Sequence, residues 1–353
     1  MTEIPAAPAL SASAGLGQWL NEVRGSIALT TYQAGRLFLV GSKPDGGLRA
    51  HERRIEQCQG LWTDGDTLWL SSRAMLWRFA NDLAAGETTE RGATRRFVPR
   101  EARVTGAIDV HDIAIGDTGG GTGPIFVATA WNCLATISEQ ASFRPLWRPP
   151  FVSALVAEDR CHLNGLAMDG ARPAFVTAVS RSDVADGWRE RRRDGGVVID
   201  VASGEVVAGG LSMPHSPRLH DGRLWLLNSG TGEFGWIDTA SGRFEPVAFC
   251  PGYARGLAFC GRRAVIGLSR PRNMTFEGLA LQDRLEAKDT EPRCGLIVVD
   301  LDSGRTVEWL RFTDPIAELY DVAVLPGVPQ AEAVGFVGEA INERIAVEPD
   351  AGL

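Results

Sequence analysis

Lysine is nearly missing from this sequence. Lys43 and Lys288 are the only two, against 34 arginines. Schiff-base or P-loop chemistry would have to use one of them, and no GxxxxGK[ST] run surrounds either. No GxGxxG follows a strand to open a helix, and no GxSxG elbow presents a serine. No apolar run approaches the ~18 residues of a membrane span. Helix-period patterns are almost absent. The six cysteines (Cys58, Cys133, Cys161, Cys250, Cys260 and Cys294) contain no CxxC pair. A reduced, cytoplasmic compartment is the simplest expectation. The opening MTEIPAAPALSASAG lacks the basic start and apolar core of a secretory signal. Basic charge is not in excess either: the net charge of -8 argues against a surface built to grip nucleic acid. Neither nucleic acid nor membrane is expected as a partner.

What is present is a repeat. A short apolar strand, a turn and a second apolar strand recur. The copies start at Gln59 (QGLWTDGDTLWLSS), His111 (HDIAIGD, then GPIFVATAWN), Asn164 (NGLAMDGARPAFVTAVS), Pro217 (PRLHDGRLWLLNSG), Arg255 (RGLAFCGRRAVIGLS) and Tyr320 (YDVAVLPG). The spacings are 52, 53, 53, 38 and 65 residues. IDVASGEVV, IDTASGRFEPV and VDLDSGRTVEWL add a second strand-turn-strand unit downstream of three copies. Four strands in about 40–50 residues make a propeller blade.

The sequence therefore predicts an all-β, six-bladed β-propeller, with seven blades as the alternative because AVGFVGE could supply an extra strand. The last copy has little after it, and three strand-like runs (SIALTTYQ, GRLFLVGS, LRAHERRI) precede the first. One shared blade, with its inner strand from the C-terminus and three outer strands from the N-terminus, closes the ring and removes exposed edges. The expected organisation is a flexible tail and short helix over 1–25, the helix lying near Leu16–Val23. A single propeller follows over 26–347, then a short tail over 348–353. Three insertions, Ala84–Gly106, Ser182–Asp194 and Arg270–Arg293, lengthen the repeats, and part of the last reads as a helix.

Residues just before the inner strands of a propeller meet near its axis. One ring so defined holds Gln59, His111, Asn164, Pro217, Arg255 and Tyr320; the ring two steps earlier holds Gln57, Asp109, His162, His215, Tyr253 and Glu318. Three of the chain's five histidines fall on these rings. His111, His162 and His215 are accordingly the expected ligands of one divalent transition metal, Zn, Fe or Cu. Glu318 and Tyr253 are the catalytic candidates. Arg255 and Arg218 are expected to hold an anionic group, with Asn164, Trp131 and Tyr320 as further substrate contacts. Arg73, Arg270 and Arg272 hold related places. His51 and His220 read as surface residues. Ser216 beside His215 and Cys161 beside His162 lack triad spacing, so no nucleophile is expected.

Two resemblances follow from these segments. HLNGLAMDG resembles the Pro-Asn-Gly-Leu segment of gluconolactonase-type and strictosidine-synthase-like six-bladed propellers. In the lactonases that Asn binds a divalent metal, and Asn164 is the matching position. CQGLW resembles their Glu-Gly-Pro-x-Trp segment, with Gln59 where the ligand Glu stands. His111, Pro217, Arg255 and Tyr320 replace the lactonase Asn and Asp, so the ligand set differs. GLWTDGDTLWLSS, DGWRERRRDGGVVIDV, GLSMPHSPRLHDGRLWLLNSGTGE, PGYARGLAF and ELYDVAVLPGV are similar to an uncharacterised bacterial propeller family, over nearly the whole chain. That resemblance implies the fold and carries no reaction. Two functions are expected from the rings: a metal-dependent hydrolase or oxidoreductase acting on a small anionic or polar molecule, or a non-catalytic module binding a ligand, glycan or peptide.

Overall fold

Six short strands begin side by side around one axis: Leu61–Thr63, Val110–Asp117, Leu163–Asp169, Pro214–His220, Tyr253–Cys260 and Val322–Leu325. Each opens an antiparallel sheet of at least four strands, and the six sheets are the blades of a β-propeller, numbered 1 to 6 in that order. This computed structural model describes residues 10–271 and 275–348. The blades form because their strands alternate in the period-two manner of sheets buried on both faces. In blade 4, Leu224 and Leu226 point to one side and Trp225 and Leu227 to the other, and all four are buried.

The core is six apolar layers, each between neighbouring blades. Leu37 and Leu39 of blade 6 meet Leu68, Leu70, Phe79 and Phe97 of blade 1. Trp225, Leu227 and Phe234 of blade 4 meet Leu257, Ile266 and Ile297 of blade 5. Burying each such side chain stabilises the ring by roughly 1.5–3 kcal/mol.

Polar latches supplement these layers. A hydroxyl at or near the end of the second strand donates to a carbonyl at the start of the next blade in five places. Thr30 reaches Gln59, Ser71 Val110, Thr129 Leu163, Ser229 Ala254 and Ser269 Leu319, at 2.6–3.1 Å.

The closure is as the sequence predicts. Blade 6 orders Val322–Leu325, Ser26–Thr31, Arg36–Ser42 and Leu48–Arg54 from the axis outward. There is no seventh blade among the described residues. The strand Ala331–Ala333 instead runs parallel to Arg95–Phe97 as a fifth strand on the rim of blade 1. His51, read as a surface residue, is buried beneath it with Nε2 3.0 Å from the Ala333 carbonyl.

The N-terminal tail also departs from expectation. Leu10–Ala12 pairs with Leu310–Phe312 as a fifth strand of blade 5, and Ser13 continues the pairing through its backbone N–H to the Trp309 carbonyl. The helix Leu16–Glu22 then buries Leu16, Trp19 and Leu20, one face at i, i+3 and i+4, between blades 5 and 6. Residues 1–9 of the tail and most of the 348–353 tail lie outside the described residues.

Antiparallel pairing fixes the faces. All inner strands leave one face, so loops between second and third strands return to it, while turns between third and fourth strands lie opposite. Ser182–Asp194 and Arg270–Arg293 are therefore on the face where the inner strands begin. The remaining insertion is mostly not a loop: Arg95–Val104 is the fourth strand of blade 1, leaving residues 82–94 on the opposite face. No helix among the described residues is long and apolar enough to cross a membrane.

Candidate functional site

The axial rings are built by a recurring bulge. In blades 2 to 5 the pairing of the first two strands shifts register just after it begins. Blades 1 and 6 show the same start: Gln59 bonds Ser71, which bonds back to Gly60, as Tyr320 and Asp321 do with Thr30. The bulge adds a residue that breaks the pairing and turns the one before it inward. This alignment places Gln59, His111, Asn164, His215, Arg255 and Tyr320 on one ring.

His215 therefore replaces Pro217, and Met213 takes the place expected for His215. The cause is Ser216, which adopts φ +50° where blade 5 has Gly256 at +74°. The sequence PRL was matched to NGL and RGL two residues too late. His111 and His215 confirm the match, since each Nδ1 contacts the carbonyl two residues back, Asp109 at 3.2 Å and Met213 at 2.8 Å.

All three histidines turn Nδ1 toward an oxygen. A carbonyl oxygen only accepts, so Nδ1 carries the proton on His111 and His215. His162 Nδ1 donates to the Asp159 carboxylate at 2.9 Å, and Trp188 Nε1 donates to the same carboxylate at 2.8 Å. On His111 and His215, which burial keeps uncharged, Nε2 is then left as a lone pair. The Nε2 of His215 is buried without a hydrogen-bond partner. Burial, with His162 and Arg255 nearby, lowers the His111 pKa to about 4 despite Asp109. Burial and Arg255 push His215 well below its ordinary value. Both are uncharged at neutral pH.

A bare Nε2 suits a metal or a hydrogen-bond donor. Yet among the described residues no group of three or more His, Cys, Asp or Glu side chains is gathered to hold a metal ion. His111 and His162 meet edge to face at 5.0 Å, whereas His215 packs edge-on against Tyr253 at 5.6 Å. The three histidines thus stand around one funnel, and the Asn164 amide oxygen accepts from Thr177 at 2.7 Å.

Arg255 is the cation of the funnel. It bonds Glu318 at 2.5 Å and lies over the rings of Tyr253 and Tyr320, 4.9 and 5.1 Å from their centroids. Burial alone would favour its neutral form, but Glu318 and the two tyrosines outweigh that and keep it charged. Glu318 is thus an arginine's partner, and Tyr253 a wall between Arg255, His215 and Phe276. Burial and the Asp109 carboxylate raise the Tyr320 phenol well above its usual range.

Deeper in the channel the next ring alternates small and polar residues: Gly60, Asp112, Gly165, Ser216, Gly256 and Asp321. Asp112, Ser216 and Asp321 each accept a backbone N–H from the following blade, at Leu166, Gly256 and Leu61. Glycine is required between them, because a Cβ on Gly165 would lie 2.3 Å from Pro217 and one on Gly256 2.6 Å from the Val322 nitrogen. Arg218, expected at the mouth, belongs to this deeper layer. Its guanidinium grips both oxygens of Asp112, at 2.7 and 3.1 Å, and so ties blade 4 to blade 2.

The mouth itself is roofed by the two long insertions. Trp188 stacks on His162 at 4.1 Å. Val179, Trp188, Met213, Tyr253, Phe276, Leu279, Leu281 and Leu285 form an apolar cluster of their own. The helix Ala280–Ala287 contributes the last two leucines, and Arg193 joins the insertions by donating to the Gly278 carbonyl at 2.6 Å.

Beneath this roof is a cavity of about 750 Å³, lined by Arg189, Arg192, Arg255 and Arg270, by Trp188, Tyr253 and Phe276, and by Glu277 and Glu318 among others. Trp131 is not at this cavity; it packs edge-on against Phe143 in blade 2. Trp188, hidden in the charged run DGWRERRRD, is the tryptophan that lines the cavity. Arg73 pairs with Glu56 in solvent, and Arg272 lies outside the described residues. All six cysteines are free, and burial pushes Cys58, Cys133, Cys250 and Cys294 up to about 12 and Cys161 beyond. Ser216 Oγ is occupied by the Gly256 N–H.

Residues 14–334 match the model of a family described as a domain of unknown function, DUF4915. The chain belongs to that family. No curated protein matches the DUF4915 chain. Among solved structures, a chain of a nidogen/laminin complex is similar at 13% identity and a TM-score of 0.51, covering 87% of this chain and 99% of that one. A protein of unknown function from Bacteroides caccae is 10% identical with a TM-score of 0.46, covering 85% and 98%. The first shows the propeller fold, and identity this low says nothing of function.

Proposed function

We propose that this DUF4915 chain binds a small organic anion, with a flat apolar part and a hydrogen-bond donor, in the roofed cavity at the channel mouth. The observation that carries this reading is the lining: four arginines against two glutamates, beside three aromatic rings. Forked guanidinium groups suit carboxylate or phosphate, and the rings offer a stacking wall. The bare Nε2 of His215 nearby calls for a donor.

Calorimetric titration with phenyl phosphate tests it. Phenyl phosphate is expected to bind more tightly than inorganic phosphate, and phenol not at all. Removing two charge-assisted contacts of about 1.5–3 kcal/mol each, as in an Arg192→Gln/Arg270→Gln double variant, should weaken it by at least about a hundredfold. Equal binding by the folded double variant, or no binding by the parent chain, overturns the reading.

A second reading, an enzyme using general base catalysis, is favoured by the Asp159–His162 pair. The carboxylate fixes the Nδ1 proton and leaves Nε2 to take one from a substrate, while Trp188 holds the same carboxylate. In that case His162→Gln abolishes turnover of a cavity ligand without releasing it. An equal loss of binding would reduce His162 to a wall of the cavity.

A further inference from the structure

The opposite face of the ring carries a second basic cleft, about 640 Å³ in volume, where blade 6 meets blade 1. Its cations come from three separate segments. Arg24 follows the N-terminal helix, Lys43 and Arg49 flank the turn between the third and fourth strands of blade 6, and Arg91 lies in the corresponding turn of blade 1. The only carboxylate lining it is Asp45. Asp45 is already engaged, with Oδ1 accepting the Gly47 N–H at 2.9 Å. None of the four cations forms an ion pair with a described carboxylate, although this chain has 44 acidic residues against 36 basic ones. One of its two lysines is among them.

The floor of the cleft is built rather than incidental. Gln330 is buried; its amide nitrogen donates to the Ser42 carbonyl at 2.7 Å, and its oxygen accepts from Arg49 Nη1 at 2.9 Å. Ser42 Oγ donates to Asn21 at 2.6 Å, and Asn21 donates to the Lys43 carbonyl at 3.0 Å. Backbone packing is close as well, since a Cβ on Gly41 would sit 2.1 Å from the Pro329 carbonyl. Arg49 Nη1 lies 4.0 Å from where a Cβ of Gly92 would be, so the Arg49 guanidinium stands against the turn that bears Arg91. Gathering like charges without counter-ions destabilises a fold unless a ligand neutralises them. Four cations around one cleft suit an anion of two or more charges, and a guanidinium held by a glutamine is preorganised for a phosphoryl group.

We propose that this cleft is a second anion site, separate from the channel mouth, which takes a compact polyanion of the phosphate class.

Inorganic pyrophosphate is the probe, measured by titration calorimetry at 0.15 M salt on the full chain. The mouth variant Arg192→Gln/Arg270→Gln is used as background, so that failure of one site is not mistaken for failure of the other. It is expected to retain one pyrophosphate per chain. Adding Arg49→Gln or Arg91→Gln should weaken that binding by at least tenfold, with a shallower dependence of log K on log salt. Lys43→Gln, a half-buried position outside the hydrogen-bonded floor's side chains, should do the same if Arg49→Gln perturbs folding. No pyrophosphate binding in the mouth variant overturns the proposal. Binding that survives Lys43→Gln and Arg91→Gln unchanged also overturns it.

Discussion

Asp321 and Asp112 occupy equivalent bulges in blades 6 and 2, yet Arg218 grips only Asp112. Asp321 accepts the N–H groups of Leu61 and Val322 and feels the Asp112 charge. Burial first, then the Asp112 charge, raise its pKa to about 8 against the pull of Arg218. The folded chain thus holds a proton that the unfolded chain releases near ~3.9. Stability from this group is fully present below that value, falls as pH rises toward 8 and is gone above it. His51 and His111, both lowered to about 4, act oppositely: they cost stability as pH falls from ~6.5 toward 4. Between pH 6.5 and 8 the Asp321 slope stands apart from theirs. Urea midpoints should decline across that window, and Asp321→Asn should flatten the decline. A parent midpoint that rises from pH 6.5 to 8 would show that Asp321 carries no proton there.

At the scale of elements, the ring depends on joints between blades as much as on the blades. Thr129 Oγ1 reaches the Leu163 carbonyl at 2.6 Å and Ser71 Oγ the Val110 carbonyl at 3.1 Å, both in buried surroundings. Thr129→Val and Ser71→Ala each remove one buried hydrogen bond to a carbonyl and should lower stability by about 0.5–1.5 kcal/mol. The joints serve different blade pairs, so the two losses should add within about 0.5 kcal/mol in chemical denaturation. A loss below the detection of such curves would assign the joint to apolar packing alone. These hydroxyls were present in the repeat as the Ser or Thr closing WLSS, VAT, LLNS, GLS and LTT. Their partners lie a blade away, and no pattern within one repeat names them.

For the whole molecule, closure is the decisive feature. The innermost strand of blade 6, Val322–Leu325, joins the last segment of the chain to Ser26–Leu29 near its start. A chain ending at Asp314 would leave a three-stranded blade and two open edges. It should lose cooperative thermal unfolding and elute as aggregate in size exclusion. Deleting residues 1–13 takes away the rim strand Leu10–Ala12 and the Ser13 contacts but leaves blade 6 intact, so that chain should elute as the parent does and unfold cooperatively with a lower midpoint. If both truncations behave alike, the shared blade is not what locks the ring.

The repeat itself was legible in the sequence because each blade must bury a period-two strand pair against its neighbour. Six inner strands, the shared blade and the helix beginning at Leu16 all follow from local patterning. So does the polar character of the axis: two of the three tyrosines and three of the five histidines converge there. What the tertiary structure decided is which of these residues meet. Ser216 in a left-handed conformation puts His215 on the inner ring, a conformation that Gly256 signals in blade 5 and a serine does not. Arg218 looked like a ligand residue because charge is visible in sequence while its partner Asp112, two blades away, is not. Trp188 looked like part of a solvated charged loop, because only folding brings that loop over His162. Pattern is set by neighbours along the chain, and a site is set by neighbours in space.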